Sequence, residues 1–297
     1  MSYLWVVAAL IASAGQVARN AAQTGLTQTI GTLGATQVRF LFGLPFALLF
    51  LPMVMAATGE SLPALTQHSA AFIAVGAVAQ IAATALMLVT MKSRSFAVTT
   101  AWLKTEPVIV ALTAALVLGD PLTAMALLAI LIAVIGVVLL SVKPGVPMWR
   151  EAGPALTGIA SGALFGASAV GFRGGIIGLE EGSFLIRATA MLALNLSLQT
   201  ALLTVWLLAF NRPALTASFR VWRASLWVGF VGASASLFWF IGFSLTSAAN
   251  VRTLALVEVL MALGVARYVF GQKITARQMV GMAVMLVGVA LLLRSQA

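Results

Sequence analysis

The chain has 297 residues, is 62% hydrophobic and only 8% charged, and has a mean hydropathy of +1.09. A soluble chain normally has about a quarter of its residues charged, so a water-exposed globular fold is excluded and lipid must solvate most of the surface. The net charge of +10 comes from basic residues scattered among apolar runs, which reads as membrane orientation rather than nucleic-acid binding.

Apolar runs between Gly, Pro and charge punctuation predict ten spanning helices. In the first half they cover 4–24, 35–57, 69–91, 96–118 and 122–142; in the second, 153–177, 183–210, 224–246, 248–270 and 275–293. A spanning helix needs about 20 residues. Runs of this length without strand-like alternation favour helices over a barrel. The first stretch has no basic segment ahead of it, so it is expected to be the first span and not a cleaved leader. The Pro-rich segment 143–150 (KPGVPMWR) divides five spans from five, giving expected repeats at 1–143 and 153–297 with a connector at 144–152.

The two halves repeat at an offset of 152 positions. Ala97 matches Ala249, Glu106 matches Glu258, Gly119 matches Gly271, Thr123 matches Thr275, and Gly136-Val137 matches Gly288-Val289. Apolar matches are cheap in such a chain, but a Glu and a hairpin Gly in common register are not. Five spans is an odd number, so the second copy enters the bilayer from the opposite side. That geometry gives an all-α membrane protein of two inverted five-helix repeats with a site at the repeat interface. Lys92, Arg94, Lys143, Arg150, Arg212, Arg220, Arg223, Lys273 and Arg277 all fall in alternate connectors. The connector at 58–67 has no Lys or Arg, and the turn after the fourth span has only Asp120. The positive-inside rule then puts both termini outside the cytoplasm.

Polar residues within the apolar spans are the candidates for function. In the first span Gln16, Arg19, Asn20 and Gln23 fall on one stripe, which must face the bundle interior. It lines a solute cavity or bonds neighbouring helices. Arg39 and Arg187, at the starts of the second and seventh spans, read as snorkelling groups or as partners of buried carboxylates. Gln80 and Thr84 pair at i, i+4 in the third span, and Trp102 precedes Glu106 in the fourth. Lys104 lies about 200° around the helix from Glu106 and so faces elsewhere. Ser161, Phe165 and Ser168 in the sixth span, with Ser236, Trp239 and Phe240 in the eighth, suit a mostly apolar pocket with a few directing polar groups. Arg252 and Arg267 have open assignments, and Trp5, Trp149, Trp222 and Trp227 fit interfacial belts.

Glu106 and Glu258 are costly at bilayer depth unless paired, protonated or hydrated. They read as sites for a proton or a cation, or as structural hydrogen-bonding groups, neutral or paired to Arg, that organise the bundle. Pro107 removes a backbone donor and loosens the helix beside Glu106. No nucleophile–base pair, metal-ligand spacing or phosphate-binding loop is visible, so neither an enzyme nor an ATP-driven motor is expected, and no cofactor. The absence of cysteine excludes disulfides and thiolate metal sites.

With Thr105-Glu106-Pro107, Gly119-Asp120 and Gly136, with Glu258, Gly271 and Gly288 in the second copy, and with Arg39-Phe40 opening the second span, the chain resembles the drug/metabolite transporter superfamily, EamA type. The second copy departs from the pattern at Val259 and Gln272. The resemblance implies a secondary transporter, often an exporter of amino acids, other metabolites or drugs, with a central cavity lined by spans one, three and four and their counterparts. The expected partners are a lipid bilayer and a small organic solute, without nucleic acid, in an inner-membrane permease that is a monomer or homodimer. Arg19 and Lys104 favour a solute with a carboxylate over the rival reading, a cationic-drug exporter. A metabolite importer is the other rival within transport. An intramembrane enzyme or lipid-handling protein is the reading from another class.

Overall fold

The structure, a computed structural model, describes residues 3–93, 99, 102–103, 106–141, 148–268 and 275–294. In chain order the helices are α1 Leu4–Leu41, α2 Leu44–Thr58, α3 Gln67–Ser93, α4 Glu106–Leu118, α5 Ala124–Ser141, α6 Met148–Ile177, α7 Phe184–Phe210, α8 Arg212–Arg220, α9 Trp222–Leu245, α10 Ala248–Leu254, α11 Val257–Tyr268 and α12 Ala276–Arg294. Among the described residues there is no strand, only an isolated bridge between Ala64 and Glu180. Six helical stretches are long and apolar enough to cross a membrane: Leu4–Thr58, Gln67–Lys92, Gly153–Ile177, Phe184–Phe210, Trp222–Leu245 and Ala276–Arg294. Glu106–Leu118 and Ala124–Leu139 are shorter apolar helices.

The 38 residues of α1 would extend about 57 Å if unbroken. They do not, because Gly31 adopts φ +73°, a conformation that glycine tolerates and other residues rarely do. Gln23 Nε2 therefore reaches Ala35 O at 2.6 Å across twelve positions, which a continuous helix would hold about 18 Å apart. The chain reverses at Gly31, between the predicted first and second spans.

Packing pairs helices from the two halves. α1 lies on α9 and α3 on α6, while α5 crosses α12 and α4 meets α10. A Cβ on Gly136 would come within 2.3 Å of Met285 N, and one on Gly288 within 2.4 Å of Ala133 N. Gly136 thus faces 281–285 and Gly288 faces 129–133, so α5 and α12 run antiparallel with backbones in contact. The 152-residue offset carries one glycine contact onto the other. Without a water-driven force between helices, this close approach supplies the van der Waals contact that holds them.

The polarity is inverted relative to a soluble fold. Leu49, Leu116, Ile135 and Val205 are exposed, whereas Arg19, Gln23, Arg39, Glu106, Gln199, Arg252 and Glu258 are buried. One end joins the connectors after α2, α4 and α6. Ser183 Oγ donates to Glu60 Oε2 at 2.7 Å, and Thr66 Oγ1 to Gly178 O at 3.1 Å. There Arg173 pairs with Asp120 at 2.9 Å and also donates to Phe243 O at the foot of α9. The opposite end carries exposed Lys92, Arg212, Arg220 and Arg223.

Three local features depart from the sequence reading, the first being that the predicted second span, 35–57, is divided at Phe42-Gly43 between the end of α1 and α2. The predicted ninth span is broken into α10 and α11 at Ala255–Leu256, although its copy has Val259 where the first has Pro107. The predicted connector between spans seven and eight contains α8, whose start Asn211 caps by accepting from Ala214 N.

Candidate functional site

Midway along the bundle, Gln16 of α1, Gln80 of α3, Phe165, Ser168, Ala169 and Phe172 of α6, Ser236, Trp239, Phe240 and Phe243 of α9 and Arg252 of α10 surround a narrow cavity. Both halves of the chain contribute to its wall. Its volume is about 10 Å³ at water-molecule centres, room for one water. The site is therefore nearly closed in this conformation.

Around it runs a connected polar chain. Gln16 Nε2 donates to both carboxylate oxygens of Glu258 at 3.0 Å, and Trp239 Nε1 donates to Gln16 Oε1 at 3.0 Å. The Arg252 guanidinium lies over the Trp239 ring, 5.0 Å from its centroid, and Arg252 Nε pairs with Glu106 Oε1. Trp239 thus touches both carboxylate systems, by its N–H on one side and its ring face on the other. The break in the ninth span serves this arrangement. It puts Arg252 in the last turn of α10 and Glu258 in the first turn of α11, where the helix dipoles favour a cation and an anion respectively.

A second polar group sits beside the cavity. Gln199 Nε2 donates to Gln80 Oε1 at 2.9 Å, and Asn195 Nδ2 donates to Gln199 Oε1 at 3.1 Å. Arg39 Nη1 donates to Thr84 Oγ1 at 2.9 Å, and Thr84 Oγ1 in turn donates to Gln80 O. Arg39 is 3% exposed, so the snorkelling reading is corrected: α1 turns back at Gly31 and carries this residue inside instead of to a headgroup. Trp5, in the first turn of α1, is buried against the bundle. Arg187 stays near the surface, with Nε on Glu181 O.

Of the residues predicted to line a cavity, Gln16, Gln80 and Trp239 do so. Arg19, Asn20 and Thr84 are buried next to it without forming its wall. Trp102 packs instead on α6, where a Cβ on Gly158 would meet its Cβ at 2.9 Å. Lys104, Arg94, Lys143, Lys273, Gly271 and Gln272 lie outside the described residues, as do the side chains of Trp149 and Arg150. Sequence reasoning left Arg252 unassigned and missed Phe172, Phe243 and Gln199. The signal for Arg252 was its place inside an apolar run, six positions before Glu258.

Among the described residues no group of His, Cys, Asp and Glu could hold a metal ion. Glu106 and Glu258 come from different halves, and each is engaged by a neighbour from the opposite half.

The profile of the EamA-like transporter family matches residues 2–142 and again residues 154–294. Of solved structures, one described only as a crystal structure of a protein superposes with a TM-score of 0.67 at 16% identity, over 98% of this chain and 95% of the other. That likeness concerns the fold alone. No curated protein matches the chain in sequence.

Proposed function

The chain belongs to the EamA-like transporter family, and from that premise we propose that it is a secondary active transporter exporting a small organic solute, an amino acid or related metabolite, by alternating access. The coarse function, a multi-pass membrane transporter of small solutes and not an enzyme, comes with the family. The finer reading rests on one observation: a polar cavity midway along an apolar-out bundle, walled by both halves and closed to about one water. A site of that kind suits a solute that enters from one side while the other is sealed.

In this reading ten spans form two inverted five-helix repeats, 1–143 and 153–297, joined at 144–152. The antiparallel contact of α5 with α12, exchanged by the sequence offset, supports that inversion. Exposed Lys92, Arg212, Arg220 and Arg223 at one end, and Asp120, Glu60, Glu180 and Glu181 at the other, support an inner-membrane orientation with both termini outside the cytoplasm. The Arg173–Asp120–Phe243 clasp then closes the outer side of the cavity.

Glu106 and Glu258 are the coupling carboxylates in this mechanism, with a proton as the coupling ion. Protonating Glu258 weakens its hold on Gln16, and protonating Glu106 releases Arg252, so each proton loosens a contact between halves. Liposome flux of an amino-acid panel with and without an imposed pH gradient tests this. The gradient is expected to drive uptake against concentration in wild type and not in Glu106→Gln. Flux that ignores the gradient in both proteins removes the proton-coupled mechanism.

A further inference from the structure

Arg19 is the buried cation near the cavity whose guanidinium keeps a fully enclosed nitrogen with no hydrogen-bond partner among the described residues. Its side chain is 1% exposed. Nε and Nη2 both donate to Asn20 Oδ1, at 3.2 and 2.6 Å, which leaves Nη1 with no acceptor. A buried, ionised donor without an acceptor is strongly unfavourable, and in a native fold it calls for a partner such as a bound water, an ion or a ligand.

The surroundings specify that ligand's charge. Arg19, Arg39 and Arg252 act on one another electrostatically, and Glu258 is the carboxylate whose field reaches Arg19. Glu258 is already held by Gln16 and Glu106 by Arg252. Among the described residues three guanidinium groups thus face two carboxylates that are already engaged, an excess of positive charge. A negative charge offsets it and a cation worsens it.

Position and shape specify the rest. Gln16, which lines the cavity, precedes Arg19 by one turn on the same stripe of α1. Gly232, one turn before the cavity-lining Ser236 on α9, faces the Arg19 stem, where a Cβ would come within 3.1 Å of Cδ. Arg19 therefore sits about one turn, roughly 5 Å along the helix axis, from the cavity wall on both helices. The cavity wall sets the aromatic faces of Phe165, Phe172, Trp239, Phe240 and Phe243 among Gln16, Gln80, Ser168, Ser236 and Arg252, so apolar contact is available to the remainder of a molecule.

We infer that Arg19 Nη1 is the carboxylate anchor of the transported solute, and that the solute is an organic monocarboxylate with an apolar body seated on the aromatic wall. This rests on the transport reading above for the word "transported", but the binding claim stands alone and is tested alone. A free carboxylate oxygen completes Nη1 in a charge-assisted hydrogen bond. Asn20 keeps the other two donors fixed, so the fork does not swing away when the site is empty.

The test uses purified full-length protein in detergent micelles and three probes at matched ionic strength: 3-phenylpropanoate, phenethylamine and chloride. Calorimetric titration is expected to show saturable binding of 3-phenylpropanoate and none of phenethylamine. Arg19→Gln is expected to weaken 3-phenylpropanoate binding by roughly tenfold to a hundredfold, the range for one hydrogen bond to a charged group. Arg19→Lys, which keeps the charge but not the fork, is expected to fall between. If Arg19→Gln does not fold, Gly232→Ala displaces the Arg19 stem with the charge intact and is expected to reduce the same affinity. Tighter binding of phenethylamine, equal binding of chloride and 3-phenylpropanoate, or undiminished 3-phenylpropanoate affinity in Arg19→Gln or Gly232→Ala each overturns the anchor. Liposome flux separates the two readings. Binding without flux removes transport and leaves the anchor, whereas flux with affinity indifferent to Arg19 removes the anchor and leaves transport.

Discussion

Glu106 and Arg252 are 2% and 6% exposed and pair across the two halves, so each compensates a charge that hydrocarbon would not accept alone. Breaking such a buried pair by removing one partner costs roughly 3–5 kcal/mol. Glu106→Gln and Arg252→Gln are each expected to lower stability by about that amount, measured by thermal unfolding in detergent. The double substitution removes both charges together and is expected to be less damaging than the sum of the two. Strict additivity would show that the pair is a coincidence of packing. The carboxylates of this site were legible in the sequence because Glu is rare in an apolar span. Arg252 was not, because nothing in its own neighbourhood says which of the two buried acids it meets. Arg39 misled for a related reason: its place at a predicted span entrance suggested a headgroup, and only the reversal at Gly31 turns it inward.

At the scale of elements, the contact between α5 and α12 depends on Gly136 and Gly288 having no side chain. The nearest atoms to a new Cβ at either place are backbone atoms, which cannot rotate aside. Gly136→Ala is expected to push the helices apart and destabilise by about 1–3 kcal/mol, the usual range for overpacking. Gly288→Ala is expected to match it, because the two contacts are equivalent under the repeat. Together the two should cost less than twice either one, since helices already separated meet the second methyl without a clash. Unequal single effects in detergent unfolding would contradict the equivalence. The glycine register was visible in the sequence, and so were nearly all helical runs. The break at Ala255–Leu256 was not, because the expected signal for loosening was Pro107 in the other copy. The break between α10 and α11 occurs without a proline. Nor did the sequence betray α8, since nine residues of mixed polarity between two long apolar runs read equally well as a plain connector.

Among the described residues one end of the molecule is acidic, with Asp120 paired to Arg173, and the other is rich in exposed arginine. Sequence charge counting predicted the division of signs, but the clasp that joins Asp120, Arg173 and Phe243 O needs three elements far apart in the chain. Asp120 was legible as a hairpin residue, while Arg173 carried no signal beyond being basic near a span's end. If alternating access operates, this clasp is intact in the conformation described here and must open when the cavity faces the acidic end. Asp120→Asn removes one charge of the pair while leaving the turn's size unchanged, and should raise the population open to that side. The chain has no cysteine, so a single Ser236→Cys reports access to the cavity wall without background. An impermeant maleimide applied to the outer face of intact cells is expected to label Ser236→Cys roughly tenfold faster when Asp120→Asn is also present, within the usual span of conformational coupling. Adding Arg173→Gln to that double variant should change the rate little, because the pair is already broken. Equal labelling with and without the clasp would show that it merely braces the fold. Faster labelling only from the cytoplasmic face would reverse the orientation that the loop charges imply.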